Sequence, residues 1–194
     1  MLRHALLILL TLTIAIGGGA GSVWYALGAI EGLGALTVGG WTSFPDAGTP
    51  QADPYSKARI AREADLPLGA AEGLTFTAGV DSGGERLRRE CTYRIEGQMP
   101  PARFWTLHVP GAASPRAGMP SIRAAALGSN SVVRESDSSV LVTASRHPSP
   151  GNWLGLTGSG PMTLVVTLYD TPVASNENIA ATELPQVLRV GCDG

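Results

Sequence analysis

The chain has 194 residues and a formal net charge of −2, and only 15% of its residues are charged. These values exclude the clustered positive surface that nucleic-acid binding needs, so no nucleic-acid partner is expected. The 25 Gly and 14 Pro residues disfavour long helices in the folded part and favour a β structure with many turns.

The first feature along the chain is an uncharged, apolar segment at residues 5–30. It exceeds the roughly 20 residues that a helix needs to cross a bilayer. Trp24 and Tyr25 fall where an aromatic belt would meet the lipid headgroups. Arg3 precedes the segment, and the next cation is Lys57, so the positive-inside rule predicts a cytoplasmic N-terminus. The segment therefore predicts a single-pass membrane anchor with an extracytoplasmic domain.

A cleaved signal peptide is the alternative for this segment. Residues 6–16 form a suitable hydrophobic region, and Gly18-x-Ala20 resembles a small-x-small cleavage site. Apolar sequence continues past Ala20 as far as Ile30, which favours the anchor. Both interpretations predict that the domain is exported.

Residues 37–66 are predicted to be a linker that contains one short helix. Asp53 suits the N-cap of that helix and Pro54 its first position, and Leu66 before Pro67 disfavours its continuation. The sequence thus predicts three parts: a signal-anchor transmembrane helix at residues 1–36, this linker, and an extracytoplasmic β-sandwich domain at residues 67–194.

Beyond the linker, apolar residues recur with a period of two. Segments 74–78 and 91–95 alternate in this way, and with turn residues 81–84 between them they predict a β-hairpin. Further strands are predicted at residues 104–109, 131–133, 140–143, 162–169 and 187–190. Residues 121–127 fit a short helix or a strand, and residues 148–160 a loop. About seven short strands predict an all-β sandwich or jelly roll.

Cys91 and Cys192 are the two cysteines of the chain. An exported domain meets an oxidising compartment, where an even number of cysteines favours a disulfide. Each cysteine lies in or beside a predicted strand, so a bridge would tie the C-terminal end into the sheet. The alternative is a pair of free thiols.

Patterns that would indicate catalysis or metal binding do not occur. His4, His108 and His147 are widely separated, and no zinc-type spacing of histidines or cysteines is found. A nucleophile elbow and a phosphate-binding glycine loop are also missing from the sequence. We therefore predict no catalytic residue, no metal site and no cofactor.

Large aromatic side chains give the strongest indication of a binding site. Tyr93, Trp105 and Trp153 lie on predicted strands or in the loop at residues 148–160, and such side chains stack on sugars or line apolar pockets. Together with Arg103, they are the candidate ligand-binding residues. The alternative is that these aromatic rings pack in the core.

Several short motifs are spread over residues 41–192. They are Trp41-x-x-x-Pro45, Asp53-Pro54-Tyr55, Leu66-Pro67-Leu68-Gly69, Glu72-Gly73-Leu74, Cys91-x-Tyr93, Arg103-Phe104-Trp105, Pro150-Gly151-Asn152-Trp153, Leu168-Tyr169, Leu184-Pro185 and Cys192. In this order they resemble the bacterial proteins called domain of unknown function 1214, in their short, membrane-anchored form. The resemblance implies a jelly-roll-like domain and a partner that carries the companion domain of unknown function 1254. It implies no catalytic residues, and it places the anchor in a bacterial inner membrane with the domain in the periplasm.

Three functions follow from these features. The first is a non-catalytic module of the cell envelope that binds a glycan, a lipid or a protein. The second is an enzyme acting on an envelope carbohydrate or another small molecule, since jelly rolls host such chemistry. The third is a subunit of a membrane complex held by its helix. The sequence favours a binding or complex-forming module over an enzyme.

Overall fold

The computed structural model describes residues 2–29, 34–63, 66–69, 71–111, 126–175 and 179–192. Within these ranges the chain forms two α-helices and ten β-strands. Two short 3₁₀ turns, Pro172–Ser175 and Ile179–Ala181, precede the last strand. The strands make up most of the ordered secondary structure outside the N-terminal helix, as the composition predicts.

The first helix, α1, spans Leu2–Ala29. Its stretch Arg3–Tyr25 is long and apolar enough to cross a membrane, and it is not buried against the rest of the described chain. A helix with these properties suits a membrane anchor. A signal sequence has the same length and composition, so both interpretations of the segment remain compatible with the structure.

The second helix, α2, spans Pro54–Glu63 and confirms the predicted start signal. Asp53 Oδ1 accepts hydrogen bonds from the backbone N–H groups of Tyr55 and Ser56, at 2.9 and 3.0 Å. These bonds satisfy two of the donors that a helix start leaves unpaired. Asp53 and Pro54 therefore act as N-cap and first helical residue, as predicted.

The strand bounds are β1 Leu36–Val38, β2 Trp41–Ser43, β3 Gly73–Ala78, β4 Cys91–Gly97, β5 Phe104–His108, β6 Ala126–Gly128, β7 Val140–Ser145, β8 Asn152–Gly155, β9 Leu164–Tyr169 and β10 Gln186–Cys192. These strands form two sheets. The larger sheet has the order β1-β2-β3-β9-β5-β6, and the smaller has the order β10-β4-β7-β8. All neighbouring strands are antiparallel except β7 and β8, which are parallel.

One hydrophobic core joins the two sheets. The larger sheet contributes Phe76 and Leu168, and the smaller contributes Tyr93 and Val142, all fully buried. The alternation along each strand places these residues on the inner faces, as expected for a β-sandwich. The all-β fold with one N-terminal apolar helix and one short helix is confirmed, while the jelly-roll connectivity stays a prediction.

The predicted hairpin between segments 74–78 and 91–95 is wrong. Both segments are strands, but β3 pairs with β2 and β9, whereas β4 pairs with β10 and β7 in the other sheet. The turn at residues 81–84 instead closes a small loop between Val80 and Arg86. The alternation of apolar and polar residues identifies a strand but not the strand with which it pairs. Strand pairing depends on the packing of the whole domain core.

Two other segments differ from the sequence-based expectations. Residues 131–133 form a turn and an irregular stretch, and Trp153 lies on β8 instead of in a loop. Of the segment 121–127, which fits a short helix or a strand, residues 121–125 lie outside the described part, and the remainder starts the strand β6. Strands β6 and β8 are only three and four residues long, so the sequence offers too few positions for a period to show.

Strands β1 and β2 fall within or next to the segment predicted as a linker, and they extend the larger sheet. Trp41 on β2 is buried, and its indole N–H donates to the carbonyl oxygen of Pro185 at 2.8 Å. This bond joins the start of the domain to the segment before the last strand. The predicted boundaries of the three parts are otherwise not tested by the fold.

Candidate functional site

The outer face of the larger sheet forms the floor of a cavity of about 700 Å³, which we call the threonine cavity. This volume lies within the range of roughly 300–1,000 Å³ that small-molecule sites usually have. The described lining residues are Thr42, Phe44, Pro45, Ala47, Leu66, Pro67, Leu68, Gly73, Leu74, Thr75, Thr77, His108, Pro110, Thr163, Val165, Thr167 and Tyr169. None of them carries a formal charge when His108 is neutral.

The floor is built from side chains in register across adjacent strands. Thr167 on β9 lies opposite Thr75 on β3 and Thr106 on β5. The next row of outward-facing residues crosses strands β2, β3, β9 and β5. Its members, in that order, are Thr42, Thr77, Val165 and His108. Because every second residue of a strand points the same way, these two rows share the face turned away from the core.

The hydroxyl groups of this floor are partly used within the protein. Thr77 Oγ1 donates to the carbonyl oxygen of Thr42 at 3.2 Å, and the Oγ1 atoms of Thr75 and Thr167 are 3.5 Å apart. A threonine hydroxyl that donates its proton within the protein has no proton left for a ligand. The floor is therefore less polar than its composition indicates.

Two segments from the N-terminal side of the domain form the walls. One is the turn after β2, with Phe44, Pro45 and Ala47, and the other is residues 66–68 after α2. The two walls are in close contact at Gly48, where an added Cβ would clash with the carbonyl oxygen of Leu68. Only glycine permits that approach. The walls also explain why Thr167, on an outer face, is only 6% exposed.

His108 is the one imidazole among the described lining residues. Burial lowers the pKa of His108 below its ordinary value of 6.5, because desolvation penalises the charged form. At neutral pH the ring is therefore uncharged and offers one donor and one acceptor. The cavity suits an uncharged ligand.

A second cavity, of about 880 Å³, lies at one end of the sandwich. Its described lining includes Glu96, Glu135, Asp137 and Glu183 and no lysine or arginine. Ser139 donates its N–H and its hydroxyl to Asp137 Oδ1 at 3.0 and 2.6 Å, and these bonds lower the pKa of that carboxyl group. Nowhere among the described residues do three or more metal-binding side chains cluster.

The predicted disulfide between Cys91 and Cys192 is confirmed. The two residues face each other across β4 and β10, and their sulfur atoms are bonded. Cys91 is buried in the core, while Cys192 is exposed on the edge strand. The bridge fixes the C-terminal strand to the centre of the smaller sheet.

Tyr93 and Trp105, two of the four candidate ligand-binding residues, are core residues. Tyr93 is fully buried, and its hydroxyl accepts a hydrogen bond from the N–H of Arg88 at 2.8 Å. Trp105 is 2% exposed, and its indole N–H has no hydrogen-bond partner among the described residues. Both rings lie on the inner faces of their strands, away from the threonine cavity.

Arg103 and Trp153 lie nearer the surface but in different places. The Arg103 side chain is 82% exposed and pairs with Asp170, with 3.3 Å between Nε and Oδ2. Trp153 is half-buried on β8, where its indole N–H donates to the carbonyl oxygen and hydroxyl of Ser145. The structure does not bring the four residues together in either cavity, and their role in binding stays a prediction.

The threonine rows are the feature that sequence reasoning missed. A signal was present in Thr75-x-Thr77 and in Thr163-x-x-x-Thr167, which place hydroxyls on one face of two strands. Recognising the floor required the register of β3, β9 and β5, which pairs residues that are about 60 to 95 positions apart in sequence.

Comparison with known families gives a match over residues 72–173, more than half of the chain, to the family described as protein of unknown function (DUF1214). The chain belongs to this family. The resemblance in the sequence motifs is thereby confirmed. No functionally curated protein matches the chain.

Solved structures of similar proteins include two from bacteria. The VPA0106 protein of Vibrio parahaemolyticus is 16% identical with a TM-score of 0.53, over 72% of this chain and 36% of that protein. An uncharacterised protein of Burkholderia cenocepacia is 16% identical with a TM-score of 0.41, over 73% of this chain and 44% of that one. The chain thus spans less than half the length of either, and the first supports the β-rich fold alone.

The family match and the threonine cavity overlap only in part. Thr75, Thr77, His108 and Thr167 on the floor fall within the matched residues 72–173. The walls at Phe44 and Leu66 precede that range. The cavity therefore forms where the DUF1214 domain meets the segment that follows the N-terminal helix.

Proposed function

We propose that this DUF1214 protein is a membrane-tethered, non-catalytic binding module that holds an uncharged ligand in the threonine cavity. The observation that carries the proposal is the uncharged, largely apolar lining of a cavity large enough for a small molecule. Ligand sites of this kind combine apolar walls with a few polar groups that fix orientation. Here His108 and the Tyr169 hydroxyl would supply such groups.

The proposal places the domain in the periplasm, with α1 in the inner membrane and the N-terminus in the cytoplasm. Arg3 before the apolar segment supports this orientation through the positive-inside rule. The Cys91–Cys192 disulfide supports an oxidising compartment. A protein carrying the companion domain of unknown function 1254 is the proposed protein partner, on the strength of the family resemblance.

Untargeted mass spectrometry of co-purifying small molecules tests the ligand. The full chain would be purified from bacterial membranes in mild detergent, as wild type and as Thr77→Trp, which fills the cavity from its floor. Val133→Trp is the matched control, because Val133 is 71% exposed and does not line the cavity. We expect a molecule that is uncharged over the part that enters the cavity to accompany the wild type and the control and to be lost from Thr77→Trp.

Identical extracts from all three proteins, each with a wild-type unfolding temperature, would contradict the proposal. A molecule that is retained by Thr77→Trp and lost from a variant of the second cavity would place the binding site at the end of the sandwich instead. Glu183→Gln is suitable for that comparison, since Glu183 is exposed, lines that cavity and is not among the described residues that line the threonine cavity.

A further inference from the structure

The threonine cavity opens near the end of the membrane helix. The guanidinium carbon of Arg62, in the last turn of α2, lies 5.9 Å from the centre of the Trp24 ring. Trp24 is at the end of the apolar stretch Arg3–Tyr25, where aromatic residues meet lipid headgroups. This contact brings the end of α2 to the level of the membrane surface.

Leu66 follows Arg62 by four residues, which can span at most about 14 Å even when extended. It lines the threonine cavity, and yet it is 93% exposed to solvent. A fully exposed leucine that borders a cavity and lies within that distance of the membrane surface can be covered by lipid. Leu66, Pro67 and Leu68 thus form an apolar lip between the bilayer and the cavity.

The interior of the cavity suits a hydrocarbon chain better than a sugar. A buried sugar needs a protein partner for each hydroxyl group, because an unpaired buried polar group is costly. The described lining offers no carboxylate, carboxamide or guanidinium group for this purpose. The Thr77 hydroxyl already donates to the Thr42 carbonyl oxygen, so its proton is not available to a hydroxyl group of a sugar.

We infer that the ligand of the threonine cavity is the hydrocarbon chain of a membrane lipid, which enters from the bilayer past Leu66. This inference rests on the proposed function, since it requires the cavity to be a binding site. The anchor then has a second role, because it holds the mouth of the cavity against the source of its ligand.

Photocrosslinking in vesicles tests the source of the ligand. The full chain would be reconstituted in vesicles of phosphatidylethanolamine and phosphatidylglycerol that contain a phospholipid with a diazirine in its acyl chain. After illumination, we expect lipid adducts on peptides that contain residues 66–68 and 163–169, in addition to adducts on α1. The adducts on α1 serve as an internal standard for insertion.

Two variants test the lip at residues 66–68 and the floor of the threonine cavity separately. Leu66→Asp places a charge on the lip, and Thr77→Trp fills the cavity. Each should lower the cavity adducts about tenfold relative to those on α1, which corresponds to ~1.4 kcal/mol of binding free energy. Val133→Asp and Val133→Trp are the matched controls and should leave the ratio unchanged.

Adducts confined to α1 in the wild type would overturn the inference, as would a ratio that neither variant changes. The proposed function has a separate outcome. One result would separate the two proposals: a water-soluble molecule co-purifies with the wild type and is lost from Thr77→Trp, while no lipid adduct is found on the cavity peptides. That result would support the cavity as a binding site and would contradict a lipid as its ligand.

Discussion

Thr75 and Thr167 face each other across β3 and β9, and their Oγ1 atoms are 3.5 Å apart. Each hydroxyl is thus turned toward a neighbour in the sheet, at a distance that makes at most a long hydrogen bond. The pair lies at the centre of the threonine cavity floor. Its arrangement indicates that the floor acts through shape and methyl groups more than through free hydroxyls.

The double variant Thr75→Val with Thr167→Val tests that arrangement. Replacing both partners of a hydrogen bond by apolar groups of similar shape has little effect on stability. We therefore expect the free energy of unfolding, measured in urea, to change by less than about 1 kcal/mol. Ligand recovery should also be retained. Thr167→Asp buries a charge at the same position, so this variant should have a lower free energy of unfolding and should lose the ligand. The same stability and the same ligand recovery in the double variant and in Thr167→Asp would contradict this account.

The lowered pKa of His108 predicts a dependence of stability on pH. The unfolded chain binds the proton more readily than the folded protein, so stability falls as the pH drops through the ordinary pKa of 6.5. In His108→Asn, the unfolding midpoint should fall less than in the wild type as the pH drops below 6.5. His147→Asn, at an exposed histidine outside the cavity, is the control, and a His108→Asn curve that matches the wild type would contradict the prediction.

Gly48 is predicted to hold the two walls of the threonine cavity together. The Cβ of an alanine there would clash with the carbonyl oxygen of Leu68, so one wall must move. Overpacking of this kind costs typically 1–3 kcal/mol, and we expect Gly48→Ala to lower stability in that range, about 2 kcal/mol, and to reduce ligand recovery. Gly79→Ala is the control, because nothing lies within 4 Å of its added Cβ. Equal effects of the two variants would show that the close approach is unimportant.

The disulfide should contribute strongly to stability, because Cys91 and Cys192 are 101 positions apart. On the chain-entropy model, a bridge that closes a loop of this length is worth up to about 4–5 kcal/mol. Cys192→Ser isolates the effect, since Cys192 is exposed and its loss leaves no hole in the core. Denaturant unfolding measures the difference, and alkylation of the denatured wild type should find no free thiol. A Cys192→Ser variant as stable as the wild type would contradict this expectation.

Local signals in the sequence predicted the elements whose causes are local. Asp53 and Pro54 predicted the start of α2, because an N-cap acts within one turn. Alternation located β3, β4 and β5 within a residue or two. The cysteine count predicted the disulfide without any knowledge of strand pairing.

Long-range pairing explains what the sequence did not predict. For Tyr93 and Trp105 the sequence fits both an exposed site and core packing, and a ring that is amphipathic in isolation becomes a core residue when its strand faces the second sheet. The threonine cavity depends on the register of three strands and on walls from a segment that reads as a linker. Neither the strand register nor the position of the walls can be deduced from a short segment of the sequence.

Methyl NMR of the full chain tests the central claim, that the threonine cavity is a ligand site, most directly. The chain would be stripped of ligand, labelled at its threonine methyl groups, held in lipid-free detergent and mixed with the extract recovered from the wild type. The account predicts shifted signals from Thr75, Thr77 and Thr167, while Thr92 and Thr143 on the smaller sheet stay unchanged. Unmoved signals from the three cavity threonines, or equal shifts at all five positions, would contradict it.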